Sequence, residues 1–122
     1  MSRPFEGLRV IDLTHVLAGP FCAYQLAVLG AETIKVEPPD EPDQAREGGS
    51  NRDLNERRMG TLYMAQGANK RSVTLDLKQI EGREVLKRLV AGADVVIENY
   101  RSGALAALGL GYEDLSALNP PL

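Results

Sequence analysis

The 122-residue chain has one cysteine, one histidine and no tryptophan. A single cysteine, Cys22, closes no disulfide within the chain, so the fold has no covalent staple and a reducing, cytoplasmic setting is expected. Cys22 sits in the apolar run FCAYQLAVLG and reads as a small core residue rather than a reactive thiol. With one cysteine and one histidine, no Cys/His metal spacing can be written, and no metal is expected. No apolar run approaches the roughly 18–20 residues of a membrane span. The opening MSRPFEG lacks the apolar segment of a secretory signal. Fourteen Lys and Arg against seventeen Asp and Glu leave a net charge of −3, without the basic footprint of a nucleic-acid-binding domain. Internal repeats are absent. So are GxGxxG, the P-loop, a nucleophile elbow and a Ser-His-Asp set, which removes the generic nucleotide-binding and hydrolase readings.

What is present is ordinary for a globular domain: 43% hydrophobic and 25% charged residues. LRVIDL (8–13) reads as a buried strand, and the apolar stretch Pro20–Leu29 as a helix with Pro20 in its first turn and Gly30 as its stop. AETIKVE (31–37) is a second strand. Residues 38–60, rich in Pro, Gly and charge, form a long polar loop with a short helical turn near NRDLNERR. The residues leave open whether this loop is functional or a flexible excursion. RSVTLDL (71–77) is a third strand. A helix follows, with Val85, Leu86, Leu89 and Val90 inward and Arg83, Glu84, Lys87 and Arg88 outward. DVVIEN (94–99) is a fourth strand, and SGALAALG and GYEDLSALN are two short helices. The order predicts an α/β fold with a Rossmann-like parallel sheet and flanking helices.

Ligands of open α/β sheets bind beyond the carboxyl ends of the strands. Three segments fall there: THVLAGP (14–20), PPDEP (38–42) and ENYRSG (98–103). LAGP offers backbone N–H groups at a helix start. His15 reads as a structural hydrogen-bonding residue ahead of an acid–base group. NKRS (69–72) sets Lys70 beside Arg71, either as cations that grip phosphates or as a solvated pair before a strand. Tyr100 beside Arg101 suits a nucleotide with phosphates, or an ordinary turn. The residues alone point to a domain for an anionic, nucleotide-like ligand.

In order and spacing, FEGLRVIDLTHVLAGPFCAYQLAVLGAETIKVEPP and NKRSVTLDLKQIEGREVLKRLVAGADVVIENYRSGALAALGLGYEDLSALNP resemble the N-terminal part of class III CoA-transferases, the CaiB/BaiF family. The resemblance implies an acyl-CoA:carboxylate CoA-transferase. It also implies a Rossmann-like CoA-binding domain built from both chain ends, within a larger interlaced homodimer. The expected partners are acyl-CoA and a small carboxylic acid, with no nucleic acid and no membrane. Carried over by motif, the CoA contacts fall on Val16, Leu17 and Ala18, on Leu75, Asp76, Leu77 and Lys78, and on Asn99, Tyr100 and Arg101. Lys70 and Arg71 are expected to assist the phosphates.

The formyl-CoA:oxalate type has Gln where this chain has Leu17, and Arg where it has Pro38 and near Ala107. The acyl and nucleotide contacts therefore differ from that type. The family's nucleophilic aspartate lies downstream of the LNP segment. Residues 1–122 thus read as the N-terminal, probable-fragment part of the CoA-binding domain, with no catalytic residue and no turnover of their own. Asp12, Asp76 and Asp94 lie outside the nucleophile's motif. Two alternatives stand beside this reading: a non-catalytic CoA-binding or interaction module, and an α-methylacyl-CoA racemase-type enzyme of the same family.

Overall fold

A computed structural model describes residues 2–122. Four parallel strands, β1 (Arg9–Asp12), β2 (Glu32–Glu37), β3 (Lys70–Thr74) and β4 (Val95–Ile97), form one sheet in the order β3-β2-β1-β4. Helix α1 (Ala18–Val28) connects β1 to β2, and α4 (Ile80–Val90) connects β3 to β4. The short helices α5 (Ala104–Ala107) and α6 (Tyr112–Leu118) follow β4. The expected α/β fold with a parallel sheet and flanking helices is the observed one.

Residues alternate across a strand, and here the alternation separates two chemistries. One face carries Ile11, Leu13, Ile34 and Val36, packed with Leu86 and Val90 of α4, Leu105 of α5 and Leu115 of α6 in one apolar cluster. Asn119 ties α6 to the end of α4 by donating to the carbonyls of Val90 (2.9 Å) and Ala93 (2.6 Å). The other face carries Asp12, Thr33, Lys35 and Glu37, each no more than 3% exposed. This polar face lies under α1 and under the segment that follows β2.

That segment is not an unstructured excursion. It folds into a 3-10 turn (Gln44–Glu47), α2 (Arg52–Glu56) and α3 (Thr61–Gly67). The turn expected near NRDLNERR is α2, capped by Asn51 Oδ1, which accepts from Leu54 N at 3.1 Å.

Three expectations shift. Helix α1 starts two residues before Pro20, which is buried in its first turn. Strand β3 ends at Thr74, so Leu75–Leu77 lie in the connection to α4. Cys22 is exposed rather than core: α1 buries Pro20, Ala23 and Ala27, and Cys22 lies on the opposite side, near exposed Phe21. The apolar sequence of α1 hides which stripe meets the sheet, because apolar residues occupy both sides.

Candidate functional site

Three of the sequence-predicted segments meet at the carboxyl edge of the sheet. Strand β1 leads into residues 13–17, β3 into 75–79 and β4 into 98–103. In β1 and β4 the ladder ends with Leu13 N donating to the Ile97 carbonyl at 2.8 Å. Just beyond it, Asn99 Oδ1 accepts from His15 N (3.0 Å) and Asn99 Nδ2 donates to the His15 carbonyl (2.8 Å). The His15 and Tyr100 rings then meet edge to face, with centroids 5.9 Å apart. The His15 backbone is thereby fixed, and Asn99 commits its amide to the neighbouring turn. Burial, and then the charge of Glu98, push the Tyr100 hydroxyl pKa up.

The 75–78 connection has its own supports. Asp76 Oδ1 accepts from Lys78 N at 2.9 Å. Arg83 donates to the carbonyls of Leu77 (3.1 Å) and Lys78 (3.0 Å). Arg83 was expected to face outward; it turns back to brace this loop and was missed by helical periodicity. Gly82 lets α4 approach: a Cβ there would lie 2.0 Å from the Asp76 carbonyl oxygen. Leu77 is 7% exposed and belongs to the apolar cluster, with Leu75 packed against it. These two leucines therefore present backbone rather than side chain to the edge. A cleft of about 120 Å³ joins this loop to its neighbours, lined by Pro38, Pro39, Asp76, Lys78, Tyr100 and Leu108 among others. Lys78 reaches Glu41 at 3.7 Å, both being largely exposed.

The turn between β1 and α1 has the most constrained backbone. Val16 has φ 74°, a conformation that β-branched residues rarely adopt. Gly19 packs on Thr14, where a Cβ would lie 2.4 Å from the methyl carbon. Helix α1 has no side-chain cap and no acidic residue in its first turn, so its N-terminal dipole is not offset locally. Val16, Leu17 and Ala18 are exposed.

Side chains of the buried polar face hold this turn from below. Asp12 Oδ1 accepts from Thr14 N and from the Thr14 hydroxyl. Lys35 Nζ donates to the Thr14 carbonyl at 2.7 Å and pairs with Asp43 at 3.0 Å. Asp43 Oδ1 accepts from Val16 N at 2.9 Å and from Ala45 N at 3.0 Å. Asp43 N donates to Glu37 Oε2 at 3.0 Å. Arg46 makes a two-pronged pair with Glu37, at 2.8 Å through each nitrogen, and its guanidinium lies 3.8 Å from the centroid of the Tyr63 ring.

Burial alone pushes the Glu37 carboxyl up. The Arg46 hydrogen bonds, the Asp43 N–H, the Arg46 charge and the Tyr63 hydroxyl outweigh it and hold Glu37 at about 2. Burial and the Glu37 charge push Tyr63 up to about 12. Asp43 is pushed up by burial and held low by the N–H groups of Ala45 and Val16 and by Lys35. The partners in this network, Asp43, Arg46 and Tyr63, carried no local sequence signal. The clue was available in ETIKVE: charges inside an internal parallel strand, whose two faces are normally covered, need partners.

Two expected ligand cations are elsewhere. Lys70, its side chain 3% exposed, donates to Asp12 Oδ2 and to the Pro20 carbonyl, both at 2.8 Å. It is an internal clamp on α1 and not a phosphate ligand. Burial lowers its pKa, and Asp12 opposes that shift. Arg71 sits toward the amino end of β3 and pairs with Glu32 at 2.8 Å, alongside Arg9. That is the end of the sheet opposite the three segments. Among the described residues, no three or more His, Cys, Asp or Glu side chains are grouped to hold a metal ion, and no helix is long and apolar enough to cross a membrane.

Comparison with known proteins agrees with this architecture. Residues 5–122 match CoA-transferase family III. The chain is 48% identical over 120 residues to succinyl-CoA--D-citramalate CoA-transferase of Chloroflexus aurantiacus, covering 98% of this chain and 29% of that protein. It is 43% identical over 118 residues to human succinyl-CoA:glutarate CoA-transferase, covering 97% of this chain and 26% of that one. Among solved structures, a CaiB/BaiF family protein from Brucella suis superposes with a TM-score of 0.85 at 41% identity, over 98% of this chain and 32% of that one. The chain thus spans about a third or less of the length of these relatives.

Proposed function

The chain belongs to CoA-transferase family III, and from that premise we propose that it is the CoA-binding portion of an acyl-CoA:carboxylate CoA-transferase. The observation that carries the reading is the meeting of residues 16–18, 75–78 and 99–101 at one edge of the sheet. Asn99 of the third bonds His15, the residue before the first, and a shared cleft joins the second and third. The exposed residues Val16–Ala18 line the helix start, where developing or resident negative charge is favoured. The Tyr100 ring offers an apolar surface, and Lys78 and Arg101 are exposed cations. The Lys78–Glu41 pair is solvent-exposed and worth at most about 1 kcal/mol, so it yields readily to a phosphate. Lys70 and Arg71 take no part.

The complete enzyme exchanges CoA by ping-pong covalent catalysis. An aspartate outside these residues attacks the acyl-CoA thioester, forming a mixed anhydride and releasing CoA thiolate, which then attacks the aspartyl carbonyl, forming the enzyme thioester and releasing the donor carboxylate. The donor is an acyl-CoA thioester and the acceptor a free carboxylic acid, of the class that the relatives' names describe. Leu17, exposed beside the strained Val16, is the residue here placed to sense the acyl group. The native assembly is an interlaced homodimer.

Titrating CoA into the 122-residue protein tests the binding claim. Saturable binding is expected, weakened about tenfold by Lys78→Ala together with Arg101→Ala, consistent with loss of charge-assisted hydrogen bonds. A folded chain that leaves millimolar CoA unbound would overturn it. The chain alone is expected to give no CoA exchange between succinyl-CoA and labelled glutarate, whereas a full-length relative carrying these residues is expected to give it without solvent deuterium entering the α-carbon.

A further inference from the structure

The β1–α1 turn has every backbone polar group from Thr14 N to Val16 N held by a side chain from elsewhere. Asp12 takes Thr14 N, Lys35 takes the Thr14 carbonyl, Asn99 takes both polar groups of His15, and Asp43 takes Val16 N. The last of these differs in origin. Asp12 and Lys35 lie on the strands beneath the turn, and Asn99 on its neighbour. Asp43 comes from the segment after β2 and bonds Val16 across 27 positions of sequence.

Asp43 is itself fixed. It is 1% exposed, its Oδ1 is shared with Ala45 N, and its other oxygen faces Lys35 Nζ. Its own N–H is anchored on Glu37, which Arg46 and Tyr63 lock in place. A left-handed conformation at a β-branched residue persists only where its surroundings over-determine it, and this carboxylate is the acceptor of the Val16 N–H.

We propose that Asp43 is a positioning residue: by holding Val16 N it fixes the left-handed turn that aims the Leu17–Ala18 backbone at the CoA ligand. This rests on the proposed CoA site. Asp43 touches no ligand; it acts through Val16. It follows that the polar segment 38–60, whose Pro38 and Pro39 line the cleft at the edge, also shapes the site from beneath through Asp43.

Removing one charge of the buried Lys35–Asp43 pair would strand the other, so the test removes both. Lys35→Met with Asp43→Asn keeps an oxygen acceptor for Val16 N. Lys35→Met with Asp43→Leu keeps the size and loses the acceptor. Two readouts are taken on each folded double variant: amide hydrogen exchange of Val16, and CoA affinity by calorimetry.

The Asn pair is expected to retain the slow Val16 amide; both pairs lose the Lys35 bond to the Thr14 carbonyl, so the affinity of each is compared with the other and not with the unsubstituted chain. The Leu pair is expected to expose the Val16 amide and to bind about tenfold more weakly than the Asn pair, the loss of one buried hydrogen bond. Equal Val16 protection and equal affinity in the two pairs would overturn the proposal. Should the unsubstituted chain not bind CoA at all, the CoA reading falls, and the amide comparison alone decides whether Asp43 holds the turn. Should the Leu pair not fold, the unsubstituted chain decides. There, Val16 N–H is expected to exchange at least about tenfold more slowly than the neighbouring Leu17 N–H, which has no protein acceptor among the described residues. Equal rates would overturn the proposal.

Discussion

The two faces of this sheet are buried to the same degree by opposite means. Under α4, α5 and α6, Ile11, Leu13, Ile34 and Val36 pack in one apolar cluster. Under α1 and the 38–67 segment, Asp12, Lys35, Glu37, Asp43 and Lys70 meet one another. The apolar face gains free energy from removing carbon from water, with little regard for direction. The polar face gains little net free energy, since desolvation offsets attraction, but each bond has a direction and a partner. One face holds the domain together; the other sets the shape of the turn at its edge. The candidate site is built where the directional face ends.

The largest effect that separates the faces is loss of a core side chain. Leu86, fully buried in the apolar cluster, should cost about 2–5 kcal/mol as Leu86→Ala in denaturant unfolding. The Val16 amide should remain protected while the variant is folded. Loss of that protection in a folded Leu86→Ala protein would show that the faces are not separable.

Next comes acid. The Glu37 carboxyl is held at about 2 against an ordinary 4.5, so the ionised form favours the fold. Its contribution is complete above about pH 4.5 and is lost as pH falls toward 2, on the order of 3 kcal/mol in all. Stability measured between pH 6 and 2.5 should fall steeply in the unsubstituted chain and in Leu86→Ala. The fall should be shallower in Glu37→Gln, which starts lower. An unchanged acid slope in Glu37→Gln would assign the acid sensitivity to other groups.

A smaller change sharpens the link from face to edge. Gly19→Ala forces a Cβ against Thr14 and should cost about 1–3 kcal/mol of stability, with CoA affinity falling as the helix start shifts. The smallest effect tests the corrected placement of the cations. Arg71→Ala, at the amino end of β3, should change stability by no more than about 1 kcal/mol and leave CoA affinity unaltered. Weakened CoA binding would return Arg71 to the site.

The sequence made the parallel α/β order legible through LRVIDL, the apolar helix after Pro20 and the Gly30 stop, because these signals are local. It also placed THVLAGP and ENYRSG at the edge, since strand ends can be read from where apolar runs stop, whereas residues 75–77 read as strand and lie beyond it. Asn99 was named but its partner was not; nothing in ENYRSG says that its amide reaches His15. ETIKVE shows why the polar face escaped. Alternation of Thr33, Lys35 and Glu37 is the pattern of a solvent face, and only the return of Asp43 and Arg46 over it makes it interior. Lys70 failed for the same reason: its partner Asp12 is 58 positions away, and a cation beside a strand looks alike whether it faces water or a buried carboxylate.

Asn99 carries a peptide group in its side chain, and it gives and takes one hydrogen bond with a single residue, His15. That two-way exchange is the one antiparallel strands make between facing residues. The sheet therefore gains one more rung beyond Leu13 and Ile97 after both strands have ended. Two loops tied at that rung are partly ordered against each other in advance, which lowers the ordering cost for a ligand that bridges them.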